Sequence, residues 1–254
     1  MNRNKMKDNI YKQILDMPKP AHFVLIDPDK SGIDEGIDLA VNAEKCGVDA
    51  ILIGSSIHLN DNLDDFIREI KSKTTIPIII FPGILNVFSS SADAILFLSM
   101  ISSRNPQFLI GEQVRAAPII KKYGLETIST AYLLIESGKM TSVQYMSNSM
   151  PIPRNKPDII IAHVLAAELI GMKAVYLEAG SGADHTVPTE VISRVKEVTS
   201  LPLIVGGGIR TPEAAESIAK AGADIVVTGT IFENNKDFNL LAEFCQTIHK
   251  QRND

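Results

Sequence analysis

Tryptophan is missing from this sequence of 254 residues, and aromatic side chains of all kinds make up only 6% of it. With no tryptophan, a formal charge of −5 and no basic stripe, the chain lacks the surface that nucleic-acid binding needs. The two cysteines, Cys46 and Cys245, each stand alone in a helix-like stretch, far from one another. That spacing excludes a disulfide framework and a cysteine metal site and points to a reducing compartment. No apolar run reaches the roughly 18 residues of a membrane span. The opening MNRNKMKDNIYKQIL is charged and has none of the apolar centre of a signal peptide. The expectation is a cytoplasmic protein with no transmembrane segment.

What is present is a globular composition, 45% hydrophobic, in a chain whose length suits one barrel-sized domain over residues 1–254. Eight short apolar runs recur: HFVLI (22–26), DAILI (49–53), IPIIIF (76–81), DAILFL (93–98), ETISTAYLLI (126–135), AVYL (174–177), LPLIV (201–205) and DIVVT (224–228). They are continuous rather than alternating, as strands covered on both faces should be. Helix-like segments fill the gaps. EGIDLAVNAEKCG (35–47) stops at a glycine suited to a helix end, and TPEAAESIAKAG (211–222) opens with a Thr cap and Pro at the first helical position. Residues 1–20 read as a helix leading into the first strand. The predicted fold class is α/β, a modified (β/α)8 TIM barrel.

One gap is too short for the pattern. Between the third and fourth runs lies only PGILNVFSSSA, so the third helix is expected to be missing or replaced. An internal echo links residues 46–84 with 170–209, with Pro77 and Pro202 125 residues apart, as in a barrel of two similar halves. The Gly/Ser/Pro-rich stretch 137–158 after the fifth run reads as a long functional loop.

Active sites of such barrels lie at the C-terminal strand ends, so the informative residues are those that follow each run. The pair VGGGIRTPEAAES (205–217) and VVTGT (226–230) carries the strongest signal. Its glycines let the backbone approach a ligand, and a helix N-terminus adds positive potential, which together make a phosphate site after strands 7 and 8. The competing explanation is a tight strand-to-helix turn. Asp27-Pro28-Asp29 closes the first run, beside Ser55 and Ser56 after the second. An Asp at a strand end suits Mg²⁺, which takes one or two carboxylates, waters and substrate phosphate oxygens, and Asp27 is the better candidate of the two. A turn carrying Asp and Pro for structural reasons is the plainer alternative.

Glu178 ends the sixth run with no cation adjacent in sequence. A carboxylate there must face water, a partner or a ligand, since burying it unpaired costs several kcal/mol. It is placed to accept hydrogen bonds from a ligand's hydroxyls and to take a proton from one of them, unless it pairs with a neighbouring helix. Tyr176 shares its face of the strand. His22 and His249 read as structural and solvated, respectively. His58, His163 and His185 have no metal-ligand spacing among themselves, and no lysine closes a strand as a Schiff-base aldolase would need.

HFVLIDPDK, ILIGSS, IIIFPG, PIPRNKPDI, YLEAGSGA, IVGGGIRTPEAA and VVTGT, taken in order, resemble the geranylgeranylglyceryl phosphate synthases, in the group whose signature reads YLEAGSG rather than YLEYSG. The likeness runs from His22 to about Asn234. It implies a modified TIM barrel with a replaced third helix and transfer of a prenyl chain from an allylic diphosphate to the sn-3 hydroxyl of sn-glycerol 1-phosphate. It also implies Mg²⁺ as cofactor, held at Asp27 and Ser56. The family's glycerol-phosphate positions fall on Tyr176, Leu177, Glu178, Ala179, Gly180, Ser181 and Gly182, then on Gly207, Gly208, Gly229 and Thr230. Glu178 and Asp27 take the catalytic roles, with Glu178 either a general base or a clamp. Two departures stand out: Gly54-Ser55-Ser56 replaces the Gly-Gly-Ser of many members, and Leu25 stands where the other group has a lysine. The resemblance also implies a homo-oligomer, dimer or hexamer, with Tyr145 at an aromatic contact, and a transient membrane contact for product release. The unusual segment after the third run, with FLSMISS (97–103) next to it, is the candidate wall of the prenyl trough. The rival readings are a metal-independent sugar-phosphate isomerase with Asp27 and Glu136 as acid and base, and a non-catalytic phosphate-binding module.

Overall fold

A computed structural model describes residues 9–54, 63–83, 88–233 and 237–253. Eight parallel strands close into a barrel in sequence order, β1 to β8: Ala21–Ile26, Ala50–Ile53, Ile78–Ile80, Ala94–Ser99, Glu126–Leu134, Ala174–Glu178, Leu203–Gly206 and Ile225–Thr228. Each begins within two residues of the run that predicted it. Helices α1 (Ile10–Asp16), α2 (Pro28–Ser31), α3 (Ile33–Cys46), α4 (Leu63–Lys73), α5 (Glu112–Tyr123) and α6 (Ser142–Ser147) come first along the chain. Then follow α7 (Pro157–Leu169), α8 (Thr189–Lys196), α9 (Pro212–Lys220), α10 (Thr230–Glu233) and α11 (Phe238–Lys250). Between β3 and β4 residues 84–87 lie outside the described residues, and the described remainder holds no helix. A single π-helical turn, Gln107–Gly111, leads into α5.

Strands covered on both faces divide the apolar core into two layers. Val24, Ile26, Ile51, Ile53, Val175 and Leu177 point outward and pack under the helices. Phe23, Leu52, Ile79, Leu96, Tyr132 and Tyr176 point into the barrel. Helix α1 closes the N-terminal end: Ile10 and Ile14 join the inner layer, and the Glu126 carboxylate accepts hydrogen bonds from the Ile10 and Tyr11 N–H groups at 2.7 and 2.9 Å. The repeat seen in the sequence reappears as one hydrogen bond made twice. Ile51 N donates to Pro77 O at 2.9 Å and Val175 N to Pro202 O at 3.0 Å.

Helix ends follow the local chemistry. Thr211 caps α9 by accepting from the Ala214 N–H, and α3 stops at Gly47 in the left-handed conformation. His22 is wholly buried, its ring nitrogens 2.7 Å from Thr228 Oγ1 and 3.2 Å from Cys245 Sγ, so it is structural as expected. His249 is only partly exposed and is hydrogen-bonded rather than simply solvated, contrary to expectation. Its Nε2 lies 2.9 Å from Asp49 Oδ2, which also accepts from the His22 N–H at 2.8 Å, while Arg252 Nη2 lies 2.7 Å from both Asp49 oxygens. Burial pushes the Asp49 carboxyl up, but the hydrogen bonds from His249, His22 and Arg252 outweigh it and its pKa lies below the ordinary value. This carboxylate ties β1, β2 and the chain's last helix together. Asp49→Ala should cost about 2–4 kcal/mol of unfolding free energy in urea titrations, with Asp49→Asn losing less.

Candidate active site

The pleat of each strand continues past its end, and that continuation builds a cavity at the C-terminal mouth of the barrel. Leu25 and Asp27 follow Phe23, Gly54 follows Leu52, Phe81 follows Ile79, and Glu178 follows Tyr176, all in inward phase and all lining one cavity. Gly229, Leu98, Met100 and Tyr132 line it too. Gly54 can be nothing larger, since a Cβ there would lie 1.9 Å from the Phe81 carbonyl oxygen.

Glu178 sits at the centre of this arrangement and is buried. Its Oε1 accepts from the Gly180 N–H at 2.5 Å, and the Tyr176 hydroxyl donates to the same carboxylate. Burial raises its pKa to about 7, against the lowering effect of those two hydrogen bonds. The folded carboxyl therefore keeps its proton to higher pH than an unfolded glutamate at 4.5. The native state loses stability as pH rises from about 4.5 to about 7, with none of that loss below 4.5. A carboxyl balanced at that point can take up or release a proton near neutral pH. No ion pair joins it to a helix among the described residues.

The loops after β6, β7 and β8 pack against one another beside it. Gly207 has φ +88°, and a Cβ added to it would lie 2.3 Å from Glu178 Oε1 and 2.6 Å from Gly180 N. The glycine is what allows the β7 turn to reach the carboxylate. Ser181 Oγ and Thr230 Oγ1, 3.1 Å apart, link the β6 loop to the start of α10. Arg210 Nη2 donates to the carbonyls of Ala183 and Gly182 at 2.6 and 3.3 Å, clamping the β6 loop to the β7 loop. Arg210, Gly207, Gly208, Gly229 and Thr230 all face the cavity, a cluster of backbone donors and one guanidinium suited to a phosphate.

Asp27 lies at the same mouth, almost wholly buried. Its Oδ1 accepts from the Asp29 N–H at 3.0 Å, and its Oδ2 lies 3.4 Å from Lys30 Nζ, which also lines the cavity. Ser56, the second expected metal position, lies outside the described residues, as do Ser55 and His58. Among the described residues no cluster of three or more His, Cys, Asp or Glu side chains is arranged to hold a metal ion. One inward carboxylate beside a phosphate cradle nevertheless fits Mg²⁺, which is commonly held by one or two carboxylates together with substrate phosphates and water.

The wall formed after β4 and β5 is mainly apolar, with the polar side chains of Glu112, Gln113 and Ser147 set into it. Leu98 and Met100, inside the stretch expected to form a trough, face the cavity with Phe108, Val143 and Met146. Helix α6 is fixed there by a hydrogen bond between Ser103 and Ser149, 2.6 Å apart, and another from Asn105 Nδ2 to Ser147 O at 2.9 Å. In an eight-stranded barrel β4 stands opposite β8, so this apolar wall faces the phosphate-suited loops across the mouth.

The sequence profile of the PcrB family matches residues 13–248. The chain belongs to the PcrB family. A Methanosphaera stadtmanae protein named geranylgeranylglyceryl phosphate synthase is 45% identical over 229 residues, covering 90% of this chain and 93% of its own. A Thermococcus kodakarensis protein of the same name is 49% identical over 213 residues, 84% of each chain. The crystal structure of (S)-3-O-geranylgeranylglyceryl phosphate synthase from Thermoplasma acidophilum, in complex with its substrate sn-glycerol-1-phosphate, superposes with a TM-score of 0.91 at 37% identity. It covers 95% of this chain and 99% of that one.

Within this PcrB-family barrel not every expected site residue meets the cavity. Leu177 and Ala179 are out of phase with Glu178, their side chains turn into the outer layer, and neither lines the cavity. Gly180 acts through its N–H on Glu178. Glu136 accepts from the Gly138 N–H at 2.7 Å within its own turn and does not line the cavity, so it is not brought to Asp27 as the isomerase reading requires. Lys30 and Arg210 lie inside the motifs HFVLIDPDK and VGGGIRTPEAAES, yet neither had a role legible from the sequence. The sequence carried no signal for Glu112 and Gln113, buried residues at the start of α5 that line the cavity and keep one side-chain oxygen each without a hydrogen bond.

Gly207→Ala is the sharpest test of the geometry. The added methyl must displace Glu178 or the β6 loop. Because alanine is strained at this positive φ and its Cβ also meets the backbone nitrogens of Ala179 and Gly180, calorimetry should show the melting temperature lowered, with a loss of roughly 2 kcal/mol or more of unfolding free energy.

Proposed function

We propose that this PcrB-family chain is a prenyltransferase. It moves a geranylgeranyl group from geranylgeranyl diphosphate to the sn-3 hydroxyl of sn-glycerol 1-phosphate, giving 3-O-geranylgeranylglyceryl phosphate and diphosphate. The observation that carries the reading is the position of Glu178, a buried carboxyl with a pKa of about 7 between a glycine-lined phosphate cradle and an apolar wall. The names of the relatives and the glycerol phosphate bound in the Thermoplasma structure support it.

In this mechanism the N–H groups of Gly207, Gly208 and Gly229, with Thr230, hold the phosphate of the acceptor. Glu178 then meets the acceptor's hydroxyls, orients the sn-3 oxygen and accepts its proton as the ether bond forms. Tyr176 keeps the carboxylate oriented by hydrogen bonding to it. Asp27 would hold Mg²⁺, which when bound neutralises charge on the departing diphosphate. Lys30 and Arg210 add positive charge at the same mouth, and Leu98, Met100 and Phe108 take the hydrocarbon chain out of water. The reading includes assembly into a dimer or hexamer, for which Tyr145 on α6, 74% exposed, offers an aromatic contact.

Purified protein mixed with sn-glycerol 1-phosphate, Mg²⁺ and C15, C20 or C35 diphosphates should transfer the C20 chain with release of diphosphate. Failure to transfer any of the three refutes the proposal. Because only the ionised carboxylate accepts a proton, turnover should rise with pH, level off above about 7 and respond to one ionisation. Glu178→Gln should lower turnover by roughly 100-fold or more and abolish that rise.

A further inference from the structure

The floor of the cavity is aromatic. Phe81 from the end of β3, Tyr132 on β5 and Tyr176 on β6 form a closed trio, with ring centroids 5.3 Å apart for Phe81 and Tyr176, 5.6 Å for the two tyrosines and 6.3 Å for Phe81 and Tyr132. In a chain that is only 6% aromatic, three rings from three strands meet at one point, and all three line the cavity. Tyr132 pairs in register with Tyr176, and Leu134 with Glu178, so the trio lies one pleat below the carboxylate. It bridges β3, β5 and β6, flanking β4 on both sides. Anything that runs from the phosphate-suited loops and Asp27 toward Leu98 and Met100 passes over it.

We infer that Phe81, the one partly exposed ring of the trio, presents a cation-stabilising face to the allylic carbon, with the buried Tyr132 and Tyr176 packed against it as positioning residues, which makes Phe81 a catalytic residue of the transfer. The inference rests on the prenyltransferase reading and deepens it. As the C1–O bond of the allylic diphosphate breaks, diphosphate leaves with the electron pair and positive charge spreads over the allylic carbons. The sn-3 oxygen then donates a lone pair to C1, the C–O bond forms, and the hydroxyl proton passes to Glu178. The attacking oxygen lies at Glu178, so the cationic carbon must lie beside it, above the rings. An aromatic face attracts such a cation through its quadrupole, most strongly where water is excluded. Unlike a second carboxylate, a ring cannot capture the cation as an ester. Burial, reinforced by the nearby Glu178 charge, holds both tyrosines well above the ordinary phenol pKa, so they serve as neutral rings.

A fluorinated series at Phe81 tests this, since fluorine drains the ring's π density while barely changing its size. Phe81 is replaced by 4-fluoro-, 3,5-difluoro- and 3,4,5-trifluorophenylalanine, and the single-turnover rate of prenyl transfer is measured with both substrates saturating. The expected result is a stepwise fall, roughly tenfold over the whole series. KM for each substrate should stay within about twofold, because the ring acts on the transition state rather than on binding. Phe81→Leu, which keeps the bulk and loses the quadrupole, should fall at least as far as the trifluoro variant. A flat series, with the unsubstituted protein turning over normally, overturns this role for Phe81 and leaves the prenyltransferase reading intact. If the unsubstituted protein transfers no prenyl group, both fail.

Discussion

The site depends on a carboxylate held inside a barrel with two hydrogen bonds and, among the described residues, no counter-charge in direct contact. Glu178 is placed by the last inward pleat of β6, gripped by the Gly180 N–H and the Tyr176 hydroxyl, and raised by burial to a pKa of about 7. The surrounding residues answer to that constraint. Gly206 lacks a side chain where Tyr176 must reach, as a Cβ there would lie 2.4 Å from the phenolic oxygen. Gly207 lacks one where the β7 turn meets the carboxylate itself. The tight glycine turns that let Glu178 be buried also expose backbone N–H groups beside it. In the proposed function, the proton acceptor and the phosphate site would thus share one packing solution.

The same logic divides the cavity. Charge and backbone donors gather where β6, β7, β8 and β1 end, around Glu178, Arg210, Asp27 and Lys30. Apolar side chains predominate opposite, after β4 and β5, with Glu112 and Gln113 among them, where the short β3–β4 connection and the π-helical entry to α5 reshape the usual barrel. A substrate with an anionic head and a long hydrocarbon tail matches that split, and a small sugar phosphate would leave the apolar half unused. The aromatic trio occupies the seam between the halves, where charge changes during a prenyl transfer.

Much of this was legible in the chain because each strand is covered on both faces and reads as a continuous apolar run. Glu178 was legible because a carboxylate at the end of such a run conflicts with burial unless it has a function. The glycines after β7 and β8 were legible because loops rich in glycine announce backbone approach. Side-chain direction was legible from strand phase but not from the family motif. Tyr176 and Glu178 were paired on one face correctly, yet Leu177 and Ala179, swept in with their motif, belong to the outer layer. Tyr132 and Phe81 read as ordinary core residues, since nothing local tells that β3, β5 and β6 bring three rings together. His249 read as solvated because its partner Asp49 lies 200 residues away in sequence.

The account stands on the protonation state of one side chain, which carbon-13 NMR can observe directly in protein labelled at the glutamate side-chain carboxyl carbons. The resonance that disappears in Glu178→Gln identifies the group, and its chemical shift can be followed from pH 4 to 9. A midpoint near 7 in the free protein is the predicted result. A midpoint near the 4.5 of an ordinary glutamate would contradict the account, because the carboxylate would then be solvated and too weak a base for the role assigned to it.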